Sequence, residues 1–177
     1  ADITNQVKGI LIGSIIIVVM GAIDDIMNLP PLVKLAVQIV AAAVAIYYGI
    51  VIHVVTNPTF LSAYAMFNTG KLAIPLTILW IVGCTNAVNL IDGLDGLANG
   101  VSAISATTML VIALLASESQ VAIVMAALVG AFVGFMPYNQ NPAKMFMGDT
   151  GSTFLGFILA TMSIQGLFKF YAVISFV

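Results

Sequence analysis

Six apolar runs follow one another along this chain, and they constrain its fold more than any other feature. They fall at residues 7–23, 32–55, 72–91, 97–116, 121–136 and 153–168. Crossing about 30 Å of hydrocarbon takes roughly 17–25 helical residues, so each run is long enough or nearly so. The stretch after Lys169 reads as the start of a seventh. Between the runs stand helix breakers. Asp24-Asp25 stops the first, Pro30-Pro31 opens the second where a missing N–H costs nothing, and Thr56-Asn57-Pro58 closes it. Phe60, Tyr64, Phe67 and Lys71 read as interfacial residues. Only 7% of the residues are charged, against about 25% in an ordinary soluble domain, which is too few to cover a soluble globule. A β-barrel would show alternating segments of about ten residues instead. The formal charge of -2, with five Lys and no Arg, has the wrong sign for a nucleic-acid partner. One cysteine, Cys84, excludes a disulfide framework and reads as a small buried hydrophobe. No small-residue cleavage pattern follows residues 7–23, so they are not read as a signal peptide. The expected fold is an all-α polytopic membrane protein of about six to seven transmembrane helices, with residues 1–177 as one unit.

The few charges then become informative. Counting crossings puts Asp24-Asp25, Asp92 with Asp95, and Asp149 on one face of the membrane, which gathers five of the seven acids there. Lys34 and Lys144 lie on that face and Lys8, Lys71 and Lys169 on the other, so the positive-inside rule leaves orientation open. His53, on the opposite face, reads as interfacial, and Glu118 as a solvated loop acid. Gathered carboxylates repel, and they either take up protons or hold a divalent cation; Mg²⁺ pairs naturally with carboxylates and a phosphorylated substrate. An ion-coupled transporter is the competing class. Its acids are expected near mid-bilayer on broken helices, whereas these sit at helix ends.

Three segments carry the chemistry. In Asn86-Ala-Val-Asn89-Leu-Ile-Asp92-Gly93-Leu94-Asp95-Gly96, the residues Asn86, Asn89 and Asp92 recur every third position and share one helix face. A polar strip in a lipid-embedded helix needs partners or a ligand. The Gly-Leu-Asp-Gly turn taken alone is equally a plain link between helices. In Phe146-Met-Gly148-Asp149-Thr150-Gly151-Ser152, Asp149 and the hydroxyls of Thr150 and Ser152 open a helix. Free N–H groups there favour anions, although Asp149 or Ser152 as a simple N-cap explains the same pattern. In the third segment, the adjacent carboxylates Asp24 and Asp25 precede Lys34, which can neutralise a phosphate; a solvated turn is the plainer reading for Asp25.

Taken together, the segments at residues 21–38, 86–98 and 143–152 resemble the polyprenyl-phosphate N-acetylhexosamine-1-phosphate transferases, glycosyltransferase family 4, over about residues 21–166. Within that superfamily, Asn28-Leu29-Pro30-Pro31 and Lys34-Leu35 through Gln38 look like the N-acetylglucosamine-1-phosphate branch that starts wall teichoic acid or O-antigen chains. The phospho-N-acetylmuramoyl-pentapeptide transferase branch usually has Lys near Met27-Asn28 and Thr at Ile91, and it is the alternative. The resemblance implies transfer of a sugar 1-phosphate from UDP-GlcNAc to undecaprenyl phosphate with release of UMP. It implies a multi-pass protein of the plasma membrane with its active face cytoplasmic, Mg²⁺ as cofactor with Mn²⁺ as a substitute, and room for a homodimer.

Carried over residue by residue, Asp149 resembles the Mg²⁺ ligand. Asp24, with Asp25 beside it, resembles the acid that deprotonates or orients the lipid phosphate. Asp92 is grouped with them as catalytic, and it and Asn89 resemble residues supporting the phosphates and metal. Gly93, Leu94 and Asp95 resemble the uridine-contacting turn, and Asn139 and Phe146 further nucleotide-pocket residues. Lys34, Asn86, Thr150 and Ser152 complete the expected substrate-binding set. The family fold has ten to eleven helices, an Arg-rich His-x-His-type loop and two earlier spans. The chain is therefore expected to be a partial core without both ends, inactive alone.

Overall fold

The computed structural model describes residues 3–56 and 66–175, with side chains omitted at residues 3, 4, 54–56, 66–68 and 167–175. Among the described residues there are six α-helices: α1 (Ile3–Met27), α2 (Pro31–Tyr47), α3 (Ala73–Ile91), α4 (Leu97–Leu115), α5 (Ser119–Asn139) and α6 (Gly148–Ser175). A short antiparallel ladder, β1 (Val54–Thr56) with β2 (Met66–Asn68), and one 3-10 turn at Gly70–Leu72 lie between α2 and α3. Phe60 and Tyr64, expected at the interface, lie outside the described residues.

The bundle is built around α6. Phe157, Ile158, Ala160, Thr161 and Met162 are all buried, and α6 packs on α1, α3 and α4. Helix α2 lies against α1 and α3, while α4 and α5 form an antiparallel pair. Glycines bring α6 to backbone contact: a Cβ on Gly156 would stand 2.6 Å from Thr85 Cα, and one on Gly21 would stand 2.5 Å from Thr150 Cα. On the outside, Leu11, Ile15, Val19 and Ile26 of α1, Leu79 of α3 and Ile123 of α5 are exposed. Inside, the Thr77, Thr85 and Thr161 hydroxyls donate to carbonyls one turn back, so few polar groups need water. An apolar outside with back-bonded threonines inside suits lipid, while Ser14 Oγ, Ser102 Oγ and Asn99 Oδ1 are buried without a hydrogen-bond partner.

Four helical stretches among the described residues are long and apolar enough to cross a membrane: Asn5–Met27, Gly70–Ile91, Leu97–Leu115 and Ser119–Asn139. This is fewer than the expected six to seven. The second run shows why. It extends as helix only to Tyr47, 17 residues or about 26 Å, because Gly49 takes a left-handed φ of 95° and the β-branched residues beyond enter β1. Among the described residues no seventh helix begins after Lys169, and α6 continues to Ser175. Helix α1 runs past Asp24-Asp25 to Met27 and ends at Asn28, whose φ of 51° is the left-handed close of a helix. Helix α5 takes in Pro137, and α6 starts at Gly148 instead of residue 153.

Candidate active site

The C-terminal ends of α1 and α3 meet the N-terminal ends of α2 and α6, and the polar residues of four helices converge there. Asp24, the end of α1 facing inward, is 2% exposed. Its Oδ1 accepts the Leu29 N–H at 2.7 Å, and its Oδ2 is ion-paired with the Lys34 ammonium. Lys34, on the first turns of α2, also donates to Asp149 Oδ2 at 3.1 Å. From α3, Asn89 Nδ2 donates to Asp149 Oδ1 at 2.6 Å and to the Ser152 hydroxyl at 2.9 Å. Asp149 thus has one oxygen on an amide and the other on a cation, and it links α2, α3 and α6.

Asp25 points the other way, as the next residue on a helix must. Its Oδ1 accepts the Asp149 N–H at 2.7 Å, and its Oδ2 accepts the Thr150 N–H at 3.2 Å and the Thr150 hydroxyl at 2.5 Å. The start of α6 is therefore capped by an acid from α1, whereas the sequence suggested free N–H groups or a cap by Asp149 or Ser152. Ser152 is fully buried, accepting from Asn89 and donating to the Gly148 carbonyl at 2.8 Å. The hydroxyls of Thr150 and Ser152, expected to touch substrate, are engaged within the protein.

Asp92 caps the C-terminus of α3. Its carboxyl is pushed up to about 6, by burial first and then by repulsion from Asp149 and Asp25. A raised value of this kind marks an acid short of counter-charge. Asn86, one turn deeper on the same strip, exchanges hydrogen bonds with Gln38 of α2: its Nδ2 donates to Gln38 Oε1 at 2.6 Å, and Gln38 Nε2 donates back at 3.4 Å. Gln38 is 2% exposed. It is the partner that the polar strip required and that spacing on one helix could not name.

A second group surrounds the loop from α5 to α6. Asp95 Oδ2 accepts the Ala143 N–H at 3.0 Å and Asn141 Nδ2 at 3.3 Å. Asn139, 3% exposed, donates to the Met145 carbonyl at 3.0 Å. Both residues brace the loop that carries Phe146. Phe146 and Leu94 are exposed, and Gly93 is open. The expected residues therefore divide into a contacting core (Asp24, Lys34, Asn89, Asp149, Ser152), the Asp25–Thr150 cap, Asp92 within electrostatic reach, the Asp95–Asn139 brace and an open rim of Gly93, Leu94 and Phe146.

Among the described residues, no group of three or more His, Cys, Asp or Glu side chains is placed to hold a metal ion by itself. What the site offers is the carboxylates of Asp149 and Asp92. Mg²⁺ commonly binds through one or two carboxylates, with waters and substrate phosphates completing its shell, so the donor set fits that ion and not an all-protein cage.

Apolar helices closing on an acidic, amide-lined site at one end of the bundle define a multi-pass membrane protein. The chain belongs to glycosyl transferase family 4, whose model matches residues 7–167. It is 41% identical over 173 residues to a probable undecaprenyl-phosphate N-acetylglucosaminyl 1-phosphate transferase of Bacillus subtilis, covering 98% of this chain and 48% of that protein. It is 38% identical over 170 residues to a phospho-N-acetylmuramoyl-pentapeptide-transferase of Streptococcus uberis, covering 89% and 49%. The same-named protein of Streptococcus suis is 36% identical over 170 residues, covering 92% and 51%. The chain spans about half the length of the curated relatives it matches.

Proposed function

We propose that the protein transfers N-acetylglucosamine 1-phosphate from UDP-GlcNAc to undecaprenyl phosphate, releasing UMP, as the membrane-committed first step of a cell-envelope polymer. The observation that carries this reading is Asp149, held by Lys34 and Asn89 at one end of an apolar bundle. An oxygen of the lipid phosphate attacks the β-phosphorus of the sugar nucleotide, and the bond from that phosphorus to the bridging oxygen of UMP breaks. Such a transfer needs alignment and charge neutralisation more than covalent machinery. Lys34 supplies a cation for phosphate oxygens, and Asp24 anchors Lys34 from below. Asn89 fixes the Asp149 carboxylate. Asp149 and Asp92 would hold Mg²⁺ or Mn²⁺, which when bound supplies neutralisation of the diphosphate charge. The exposed rim of Gly93, Leu94 and Phe146 suits a nucleoside.

Asp24 ends α1 and Asn89 ends α3, yet both reach the same carboxylate, so α2 has to return the chain to the opposite face. The site faces the cytoplasm of a plasma membrane, where the sugar nucleotide is found. The N-acetylglucosamine branch is favoured over the pentapeptide branch by Asn28-Leu29-Pro30-Pro31 and by the 41% identity of the Bacillus relative. The test supplies membranes bearing the protein with undecaprenyl phosphate, Mg²⁺ and either radiolabelled UDP-GlcNAc or UDP-MurNAc-pentapeptide. Labelled lipid and UMP from UDP-GlcNAc alone are expected. The reverse preference assigns the pentapeptide branch, and ion-driven uptake with no UMP assigns a transporter.

A further inference from the structure

We propose that Asp25 is a positioning residue, the fixed internal anion that closes the N-terminus of α6 and sets the backbone of Asp149. The reaction it serves rests on the function proposed above. The opening turn of an α-helix has N–H groups without partners and a partial positive charge, and an anion placed there is stabilised. In many phosphate-handling proteins that anion is the substrate. Here it is a side chain of the protein, reaching across 124 residues of sequence to the Asp149 N–H and 125 to Thr150. Three donors fall on its two oxygens: two backbone N–H groups and the Thr150 hydroxyl.

The surrounding backbone is shaped to this carboxylate. Gly148 has a left-handed φ of 68°, and a Cβ there would stand 3.0 and 3.1 Å from the two Asp25 oxygens. One helical turn before Asp25, Gly21 lets α1 touch the α6 backbone at Thr150 and Asp149. Asp25 is thereby tied to the same turn of α6 that carries Asp149, while Asp24, its neighbour, faces inward to Lys34. The adjacent acids have separate tasks. Asp24 fixes the cation and Asp25 fixes the carboxylate that the cation contacts. The Asp149 and Thr150 N–H groups at the start of α6 are taken by Asp25, so Lys34 and not the helix end is the positive group facing a diphosphate.

The test compares Asp25→Asn, Asp25→Ala and Thr150→Val in the protein in membranes or detergent, with two readouts. The first is hydrogen–deuterium exchange of the peptide spanning residues 146–153. The second is kcat and KM for labelled lipid formation. Asp25→Asn keeps one acceptor oxygen and loses the charge and the other, so it should lose about tenfold in kcat with modestly faster exchange. Asp25→Ala removes every acceptor and lets Asp149 shift, so kcat should fall roughly 100-fold, with KM little changed and local exchange much faster. Thr150→Val should fall between the two. Asp25→Asn as inactive as Asp25→Ala, with α6 exchange unchanged in both, would overturn the proposal and make Asp25 a group in the chemistry. If Asp25→Ala does not fold, Asp25→Asn and Thr150→Val decide the same question. A wild-type protein that transfers no sugar phosphate defeats the proposed function, whereas the exchange readout still tests the cap.

Discussion

Gly21→Ala is the sharpest perturbation of the junction that holds the site. The added Cβ would lie 2.5 Å from Thr150 Cα, 2.8 Å from Thr150 N and 3.0 Å from the Asp149 carbonyl oxygen. Carbon atoms in contact settle at about 3.5–4.0 Å, so α1 and α6 must part by roughly 1 Å. All three obstacles are backbone, and no rotamer change relieves them. Overpacking of this sort costs about 1–3 kcal/mol. The better helix propensity of Ala returns about 1 kcal/mol, which leaves a net loss of at most about 2 kcal/mol. Activity is therefore the more sensitive readout. Asp25 moves with α1 and Asp149 with α6, and the bonds of 2.7 and 3.2 Å from the Asp149 and Thr150 N–H groups to Asp25 do not survive such a separation. A displacement of about 1 Å at a catalytic constellation costs on the order of 100-fold. The assay measures labelled lipid formed per unit protein, with the thermal unfolding midpoint in detergent recorded on the same samples. Gly83→Ala, on α3 with nothing within 4 Å of its added Cβ, is the control and should leave the rate unchanged while raising the midpoint slightly through the helix propensity of Ala. Gly21→Ala at wild-type rate and midpoint would refute the close approach of α1 and α6.

Three further outcomes are expected. Asn89→Leu strands the Asp149 Oδ1 and the buried Ser152 hydroxyl, costing about 1–3 kcal/mol and more than tenfold in transfer rate; a variant with unchanged rate removes Asn89 from the site. Asp92 holds its proton more tightly folded than unfolded, since its carboxyl sits at about 6 against an ordinary 3.8. Its contribution to stability is thus full below about 3.8 and is lost as pH rises through about 6. Asp92→Asn should therefore gain in thermal midpoint relative to wild type as pH rises across that window, and parallel curves would contradict a carboxyl raised by burial and by Asp149 and Asp25. Chelation with EDTA should abolish lipid labelling and added Mg²⁺ or Mn²⁺ should restore it, whereas full activity in EDTA would exclude a divalent ion bound by Asp149 and Asp92.

Apolar run length and breaker residues made most of the helices legible in the sequence, and counting crossings made the site legible. Asp24, Asn89 and Asp149 are far apart in the chain, yet parity alone puts them at one end of the bundle, where they meet. Details that depend on a second helix were not legible. The strip Asn86–Asn89–Asp92 announced a need for partners, but nothing in α3 names Gln38. Adjacent acids at 24 and 25 look equivalent until helix rotation sends one to Lys34 and the other to the end of α6. The second apolar run looked like one long span because Val and Ile serve a strand as well as a helix, and only the backbone at Gly49 separates the two. The resemblance implies Asp95 as part of a uridine-contacting turn, and its bonds to Asn141 and Ala143, 46 and 48 residues on, could not be read from the turn itself.

The most direct measurement follows the phosphorus. UDP-GlcNAc labelled with ³²P at the β-phosphate is incubated with the protein, undecaprenyl phosphate and Mg²⁺, and the products are partitioned between organic and aqueous phases. Transfer of the sugar 1-phosphate carries the label into the organic phase on the lipid and leaves unlabelled UMP in water. Label that stays in the aqueous phase as UDP, while the sugar moves to the lipid, would mean that the sugar alone is transferred and would contradict the proposed reaction.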